Sequence, residues 1–145
     1  MKKSILLSWL LPISIHANAY STSSGPFYFS GGTVFPKTTL SIPLRQLLPI
    51  EEETPIVITC DIENPNYNNP YPVVIKLSTY KTESNVCSLN GVTSSTKLYL
   101  LNNKINKYRV HTTYSYWETL NFQNYDETNL VSVTNCMATY DFSYQ

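Results

Sequence analysis

The stretch that decides the fold is Pro55–Glu63, which reads PIVITCDIE. A period of two with β-branched residues is typical of a strand that buries one face. The stretch also carries the first of three cysteines, so we expect it to hold a covalent as well as an apolar anchor. Its two alternating sets of side chains are Ile56, Ile58, Cys60 and Ile62 on one face, and Val57, Thr59, Asp61 and Glu63 on the other.

The N-terminus is typical of a secretory signal peptide. A basic start, Met1–Lys3, is followed by a largely apolar stretch, Ser4–Ile15, and by an Ala-x-Ala sequence that ends at Ala19. The apolar stretch is short for a membrane span, and Pro12 interrupts it. We therefore predict cleavage after Ala19, which leaves 145 − 19 = 126 residues, and export to the periplasm or the outside with no stable membrane span after cleavage.

The composition of the mature chain argues against nucleic acid as a partner and favours one fold class. Without Lys2 and Lys3, eight basic residues remain against ten acidic ones, and they are scattered. A nucleic-acid binder normally shows a concentrated basic face. Ala138 is the single alanine after residue 19, whereas all twelve tyrosines lie there. Because tyrosine, threonine, valine and isoleucine favour sheets over helices, the composition predicts an all-β domain.

Other alternating segments add to the strand at Pro55–Glu63, and an Asn90-Gly91 pair indicates a hairpin. Pro43 indicates an edge strand, because proline donates no hydrogen bond to a ladder. Residues 118–129 are predicted to be a polar connection. The predicted strands outside the opening stretch are 38–44, 73–80, 97–101, 105–117 and 130–144.

Six or seven short strands without a helix signal predict a small two-sheet β-sandwich, immunoglobulin-like in architecture. A partly closed β-barrel is the alternative. We expect three parts in the chain: the signal peptide at 1–19, an extended N-terminal arm at 20–37 and the β-sandwich domain at 38–145.

The three cysteines predict one disulfide, because disulfides persist in exported proteins. Cys60 and Cys136 each lie on the apolar side of a long strand, so a Cys60–Cys136 bond is favoured. Cys87, in the polar hairpin region, is then the free or intermolecular thiol, and a Cys60–Cys87 bond is the rival. Their spacings of 27 and 49 residues differ from those of paired zinc ligands. We expect neither a metal site nor a cofactor.

No catalytic residue is predicted. His111 is the single histidine after residue 19, and it alternates with Arg109 and Thr113, so we expect it on a solvated polar face. Cys87 with His111 is the one conceivable nucleophilic dyad, and nothing in the sequence brings the two together. No Gly-x-Ser-x-Gly motif, calcium loop or phosphate-binding loop is present, and nothing selects a pair of carboxylates.

Aromatic residues are the better candidates for ligand contact. Tyr67 and Tyr71 lie in the loop Asn64–Pro72, and Trp117 ends a predicted strand. Such side chains stack on sugars or anchor a protein partner. An inward-turned Trp117 is the alternative interpretation.

The C-terminal end resembles pilus subunits assembled by chaperone and usher. About the last fifteen residues form an alternating apolar strand with a penultimate tyrosine, Tyr144, as in those subunits. The sequence departs from their pattern before that strand, where Asn129, Leu130 and Val131 stand in place of a glycine. The disulfide pattern in the first half of those subunits is also not evident, so the chain is not assigned to the family.

Three functional hypotheses remain. The first is an exported, non-enzymatic β-sandwich that binds a protein or glycan at the cell envelope or outside the cell. The second is a structural or fibre-type subunit that self-associates through an edge strand, or through Cys87. The third is a small hydrolase that uses His111 or a carboxylate pair. The absence of a catalytic constellation favours the first hypothesis.

Overall fold

Two antiparallel β-sheets stack face to face in the computed structural model, which describes residues 25–48, 53–69, 71–79, 86–114 and 118–141. The segment 1–19, Trp117 and Tyr144 lie outside these residues. Within the described ranges no helix has the length and apolar character needed to cross a membrane.

The elements in chain order are β1 (Phe27–Phe29), β2 (Gly32–Val34), β3 (Thr39–Pro43), α1 (Leu44–Leu47), β4 (Thr54–Glu63), β5 (Val73–Thr79), β6 (Val86–Leu89), β7 (Val92–Thr93), β8 (Leu98–Leu101), β9 (Asn106–Tyr114), β10 (Thr119–Asn124) and β11 (Val131–Tyr140). The larger sheet has the order β1-β11-β4-β9-β6-β7, with β2 also paired to β11. The smaller sheet has the order β3-β10-β5-β8. The predicted two-sheet sandwich is confirmed, and in the described residues the two sheets keep separate hydrogen-bonded ladders, unlike the alternative barrel.

The stretch Pro55–Glu63 forms most of β4, which lies between β11 and β9 in the larger sheet. Its alternation predicts its burial correctly: Ile56, Ile58, Cys60 and Ile62 all face the core. Each buried isoleucine contributes about 1.5–3 kcal/mol to stability relative to an exposed one. Across the core, the rings of Tyr108 on β9 and Phe122 on β10 pack edge to face, with their centroids 5.4 Å apart, and so connect the two sheets.

Two local predictions about strand ends and turns are confirmed. β3, which ends at Pro43, is an edge strand of the smaller sheet. Asn90 and Gly91 form the two-residue turn between β6 and β7, and both have positive φ, 51° and 80°. Positive φ at both central residues is what this tight hairpin turn requires.

The prediction of a polar connection at 118–129 is wrong for its first half. Residues 119–124 form β10, which pairs with both β3 and β5. Leu120 and Phe122 are fully buried, and the intervening polar side chains lie on the outer face of the smaller sheet. An antiparallel strand with one solvated face needs only every second residue to be apolar. Leu120 and Phe122 meet this need, although the segment is polar in overall composition.

The segment predicted as an N-terminal arm contributes strands to the larger sheet. β1 pairs with the second half of β11, in the register Phe29↔Cys136, and β2 pairs with its first half, in the register Thr33↔Ser132. Phe27 and Phe29 pack against the core. The sandwich therefore includes residues that precede position 38.

Candidate functional site

Four connections lie side by side at one end of the sandwich. They join β2 to β3 (35–38), β10 to β11 (125–130), β4 to β5 (64–69 and 71–72) and β8 to β9 (102–105). Each connection crosses from one sheet to the other, so their order follows the order of the strands, β2-β11-β4-β9 in one sheet and β3-β10-β5-β8 in the other. We call these four connections the loop end.

Neighbouring connections in this row are bonded to each other. The Lys37 ammonium lies 3.2 Å from the Glu127 carboxylate. The amide of Asn66 donates to the side-chain oxygen of Asn129 at 2.9 Å. The amide of Asn103 donates to the main-chain oxygen of Asn69, also at 2.9 Å. The four connections thus form one continuous surface rather than four separate loops.

Asn106 is a fully buried asparagine that fixes one side of the loop end. Its amide nitrogen donates to the main-chain oxygens of Ile62, Asn102 and Lys104, and its oxygen accepts from the amide of Asn90. Buried polar groups of this kind are stable only when they are hydrogen-bonded, so the network holds 102–105 in one conformation.

Asn124 is the second fully buried asparagine, and it fixes the other side. Its amide nitrogen donates to the main-chain oxygens of Val34 and Asn129, at 3.1 and 2.8 Å, and its oxygen accepts from the main-chain N–H of Asp126. One side chain thus connects the end of β2 with 125–130.

Asp126 organises the connection between β10 and β11. Its carboxylate accepts hydrogen bonds from the main-chain N–H groups of Thr128 and Asn129, at 3.0 and 2.6 Å, and from the Asn129 amide. Burial raises the pKa of Asp126, but these hydrogen bonds outweigh the burial, and the pKa lies below the ordinary 3.8. The carboxylate is therefore charged at neutral pH and acts as a structural acceptor.

Every connection of the loop end presents a large, exposed apolar or aromatic side chain. Tyr71 is 73% exposed, and its main chain is held on both sides by the Asn69 side chain. The Tyr67 hydroxyl donates to the Glu63 carboxylate at 2.6 Å, and this hydrogen bond raises the pKa of Tyr67. The set of exposed side chains is Phe35, Tyr67, Tyr71, Ile105 and Tyr125.

The structure therefore places the predicted aromatics Tyr67 and Tyr71 on one surface, while Trp117 lies outside the described residues. The sequence did not predict that the other three connections also present exposed apolar or aromatic side chains on this surface. It also did not predict that buried asparagines hold the connections in place. A signal for the asparagines exists: Asn106 is in phase with Tyr108 and Val110, and Asn124 with Leu120 and Phe122. An asparagine at the end of a strand, in the same alternation as the buried side chains of that strand, therefore indicates a buried side chain that hydrogen-bonds to neighbouring connections.

The predicted disulfide is present: Cys60 on β4 is bonded to Cys136 on the adjacent strand β11. Cys87 is free, which confirms the first of the two expectations for it, and its burial disfavours reaction of the thiol with another molecule. It is 1% exposed, and its sulfur lies 3.8 Å from the Tyr108 hydroxyl. Burial raises the pKa of Cys87 and outweighs the lowering by Tyr108, which further disfavours a thiolate.

His111 and Cys87 lie on adjacent strands but on opposite faces of the larger sheet, so they do not form a dyad. Cys87 faces the core, whereas His111 lies on the outer face between Val57 and Val86. Its side chain is only 17% exposed, because Asp141 lies 2.6 Å away, and the expectation of a well-solvated histidine is therefore wrong.

Two further carboxylates among the described residues have structural partners. Asp61 pairs with Lys107 at 2.6 Å, and Glu118 is buried and accepts from the Thr112 hydroxyl at 2.6 Å. Across the residues that the structure describes, no three His, Cys, Asp or Glu side chains are placed to hold a metal ion.

Fold and site together define a small β-sandwich with a cross-linked loop surface at one end. No family model matches the chain, and no curated protein matches it. Among solved structures, the chain is similar to the CBM22-1 xylan-binding domain of Xyn10C from Paenibacillus barcinonensis, with 14% identity and a TM-score of 0.42, covering 77% of this chain and 69% of that chain.

Proposed function

We propose that this protein is an exported, non-enzymatic binding module that holds a protein or glycan partner on the loop end. One observation carries the proposal: four adjacent connections are bonded to each other, and each presents a large apolar or aromatic side chain to solvent. Single exposed apolar residues are ordinary on protein surfaces, whereas a row of them with one on each loop favours a contact surface.

The chemistry of the loop end suits recognition. Tyrosine and asparagine dominate it, and this composition is typical of antibody binding loops, in which tyrosine supplies contact area and asparagine supplies hydrogen bonds. The buried Asn106 and Asn124 hold the loops before a partner arrives. Pre-organisation of this kind reduces the entropy lost on binding.

Two alternatives receive less support from the geometry. A nucleophilic hydrolase needs a base beside its nucleophile, but His111 lies on the outer face of the larger sheet whereas Cys87 faces the core. Self-association through an edge strand needs a long open edge, and the edge strands of both sheets have five residues or fewer, with Pro43 on β3. A monomer on gel filtration at micromolar concentration is the expected result, and a concentration-dependent ladder of oligomers would favour the fibre hypothesis.

Export is part of the proposal. It is supported by the signal-like residues 1–19 and by the Cys60–Cys136 bond, since disulfides persist in oxidising compartments. Intact-mass measurement of protein recovered outside the cytoplasm is expected to give a chain that starts at Tyr20. A recovered chain that keeps residues 1–19 would contradict cleavage after Ala19.

A pair of tyrosine variants tests the loop end. Tyr67→Ala with Tyr71→Ala removes two rings from it, and Val86→Ala is the control because Val86, on β6, is an exposed apolar side chain outside the four connections. The probes are an array of purified glycans and surface proteins extracted from the native host, with cross-linking and mass spectrometry to identify the partner.

The double variant is expected to lose at least about tenfold in affinity for at least one protein or glycan that the wild type binds, while Val86→Ala retains that partner. Equal binding by the double variant and the wild type would overturn the loop end as the binding surface. Circular dichroism of all variants checks that the sandwich is intact.

A further inference from the structure

A concave surface separate from the four connections lies on the side of the sandwich, at the edge of the larger sheet where β1 and β2 both pair with β11. It is an open groove of about 560 Å³, which falls in the range of small-molecule sites. We call it the edge groove. Its lining residues are Tyr28, Phe29, Ser30, Gly31, Gly32, Thr33, Ser132, Val133, Thr134, Asn135 and Cys136.

The edge groove exists because two short strands, rather than one long strand, cover β11. The register of β1 stops at Phe29↔Cys136, and that of β2 begins at Gly32↔Val133. On the other side of β11, the pairing with β4 shifts between Thr134 and Met137, and Asn135 there has a φ of 51°. The gap between β1 and β2 and the bulge in β11 lie at the same position along β11, so a depression forms there.

Two features make the edge groove rigid. Cys136 in its lining is bonded to Cys60 on the next strand. Gly31 lies so close to β11 that a Cβ atom there would overlap the Val133 carbonyl oxygen. The covalent bond and the close backbone approach hold the two walls in place.

The polar groups of the edge groove are uncharged. Serine and threonine hydroxyls and the Asn135 amide contribute them, and none of the residues that line it is Lys, Arg, His, Asp or Glu. The Asn135 amide nitrogen donates to the Asp61 carboxylate at 3.0 Å, which leaves the amide oxygen as an acceptor. Lys107 neutralises Asp61 from the far side, at 2.6 Å.

Tyr28 supplies an aromatic wall. Its ring is 75% exposed because Phe27 and Phe29 turn toward the core and leave Tyr28 on the outer face. An exposed ring beside hydroxyl and amide groups matches a pyranose, which presents C–H groups on one face and hydroxyls around its rim.

From the uncharged lining, the aromatic wall and the volume, we propose that the edge groove binds a neutral saccharide. An anionic ligand would find no cation among the lining residues. An added peptide strand would have to pair with β1 and β2, which have three residues each and are interrupted at Ser30–Gly31. This site lies on the side of the sandwich, apart from the loop end, and its function does not depend on the proposed function.

The experiment uses the mature protein and an array of neutral oligosaccharides of glucose, galactose, mannose and xylose, with sulfated and sialylated glycans as charged counterparts. The variants are Tyr28→Ala, Thr134→Val, which replaces a hydroxyl by a methyl group of similar size, Tyr71→Ala, which tests the loop end, and Val86→Ala as the control, because Val86 is exposed and lies in neither site.

The wild type is expected to bind at least one neutral oligosaccharide. Tyr28→Ala should weaken that binding about tenfold, Thr134→Val should weaken it by a smaller factor, and Val86→Ala should leave it unchanged. Raising the salt concentration should have little effect, because no charge takes part.

Four results would overturn the proposal: no neutral oligosaccharide bound, a charged glycan bound in preference, a peptide or protein bound in a Tyr28-dependent way, or equal binding by Tyr28→Ala and the wild type. Saccharide binding that depends on Tyr71 and not on Tyr28 would place the glycan at the loop end instead, which would support the proposed function and contradict the edge groove. Circular dichroism and the urea midpoint of each variant show that the sandwich is folded.

Discussion

The loop end and the edge groove are both rigid, but different interactions hold them. At the loop end, many hydrogen bonds hold the connections in place, and most of them involve the side chains of Asn106, Asn124 and Asp126. At the edge groove, one disulfide and one backbone approach at Gly31 hold the walls. We therefore expect the loop end to lose order gradually as its hydrogen bonds are removed one by one. The edge groove should instead be disrupted by one substitution, at the disulfide or at Gly31.

Removal of the disulfide is expected to have the largest effect. Replacing both Cys60 and Cys136 by alanine removes a cross-link between residues 76 positions apart, which costs about 4 kcal/mol by the loop-entropy model. Urea unfolding of the double variant measures this loss, and saccharide binding should suffer more than partner binding at the loop end. Cys87→Ala, which removes a buried free thiol, is the control with an expected loss of about 1 kcal/mol. Equal midpoints for the two variants would contradict the assigned bond.

Gly31→Ala is expected to have the next largest effect. The added methyl group would overlap the Val133 carbonyl oxygen, so β2 or β11 must shift, at a cost of about 2 kcal/mol. Gly91→Ala is the control: it has a φ of 80° but open space around the added carbon, and it should cost about 1 kcal/mol through backbone strain alone. Gly31→Ala should also abolish saccharide binding. A Gly31→Ala protein as stable as the wild type would show that the approach of the two strands is not tight.

Asn106→Ala tests the loop end, with an expected loss of about 2 kcal/mol because several buried main-chain oxygens lose their donor. Asn103→Ala removes one exposed hydrogen bond and is the control, with a loss below about 0.5 kcal/mol. Hydrogen exchange should show faster opening at residues 102–105, while the strands on either side of the edge groove stay protected. Uniformly faster exchange throughout the sandwich would contradict the local role of Asn106.

The loop end was partly predictable from sequence, and the reason is physical. Asn106 and Asn124 continue the inward phase of β9 and β10, so the alternation that predicts the strands also locates their buried ends. Tyr67 and Tyr71 stood out as aromatics in a turn-rich loop.

The edge groove was not predictable. It depends on Phe29 meeting Cys136 and on Gly31 meeting Val133, pairs about a hundred residues apart. The bulge that follows Thr134 moves the buried side chains of β11 from the phase of Val133 to that of Cys136. Pairing between distant strands, and a bulge within one of them, leave no periodic signal in a single sequence.

Lowering the pH is expected to reduce the stability of the fold by less than these substitutions do, through one aspartate at each site. Asp126 at the loop end and Asp61 behind the edge groove are both partly buried, which raises the pKa of each, but hydrogen bonds outweigh this and lower each pKa below the ordinary 3.8. A lowered folded-state pKa adds stability above the ordinary value, and that stability is lost as pH falls through the folded-state pKa.

The urea midpoints of the wild type, Asp61→Asn and Asp126→Asn should therefore differ at pH 7 and converge once the pH has fallen below the folded-state pKa of each aspartate. The effect at pH 7 should be smaller than that of Asn106→Ala, since solvent screens both carboxylates. A difference that is constant with pH would mean that the charge of the carboxylate does not contribute.

His111→Ala is expected to have the smallest effect, on both stability and binding. His111 lies on the outer face of the larger sheet, separated from β11 and the edge groove by β4, and far from the loop end. Its loss removes the 2.6 Å contact with Asp141 and should cost less than about 1 kcal/mol. The exposed neighbour Arg109 offers a control in Arg109→Ala. Binding at both sites should match the wild type by titration. A His111→Ala protein that folds normally by circular dichroism but loses its biological activity would remove the binding module from first place, because His111, the single histidine after residue 19, would then be the natural base of a hydrolase.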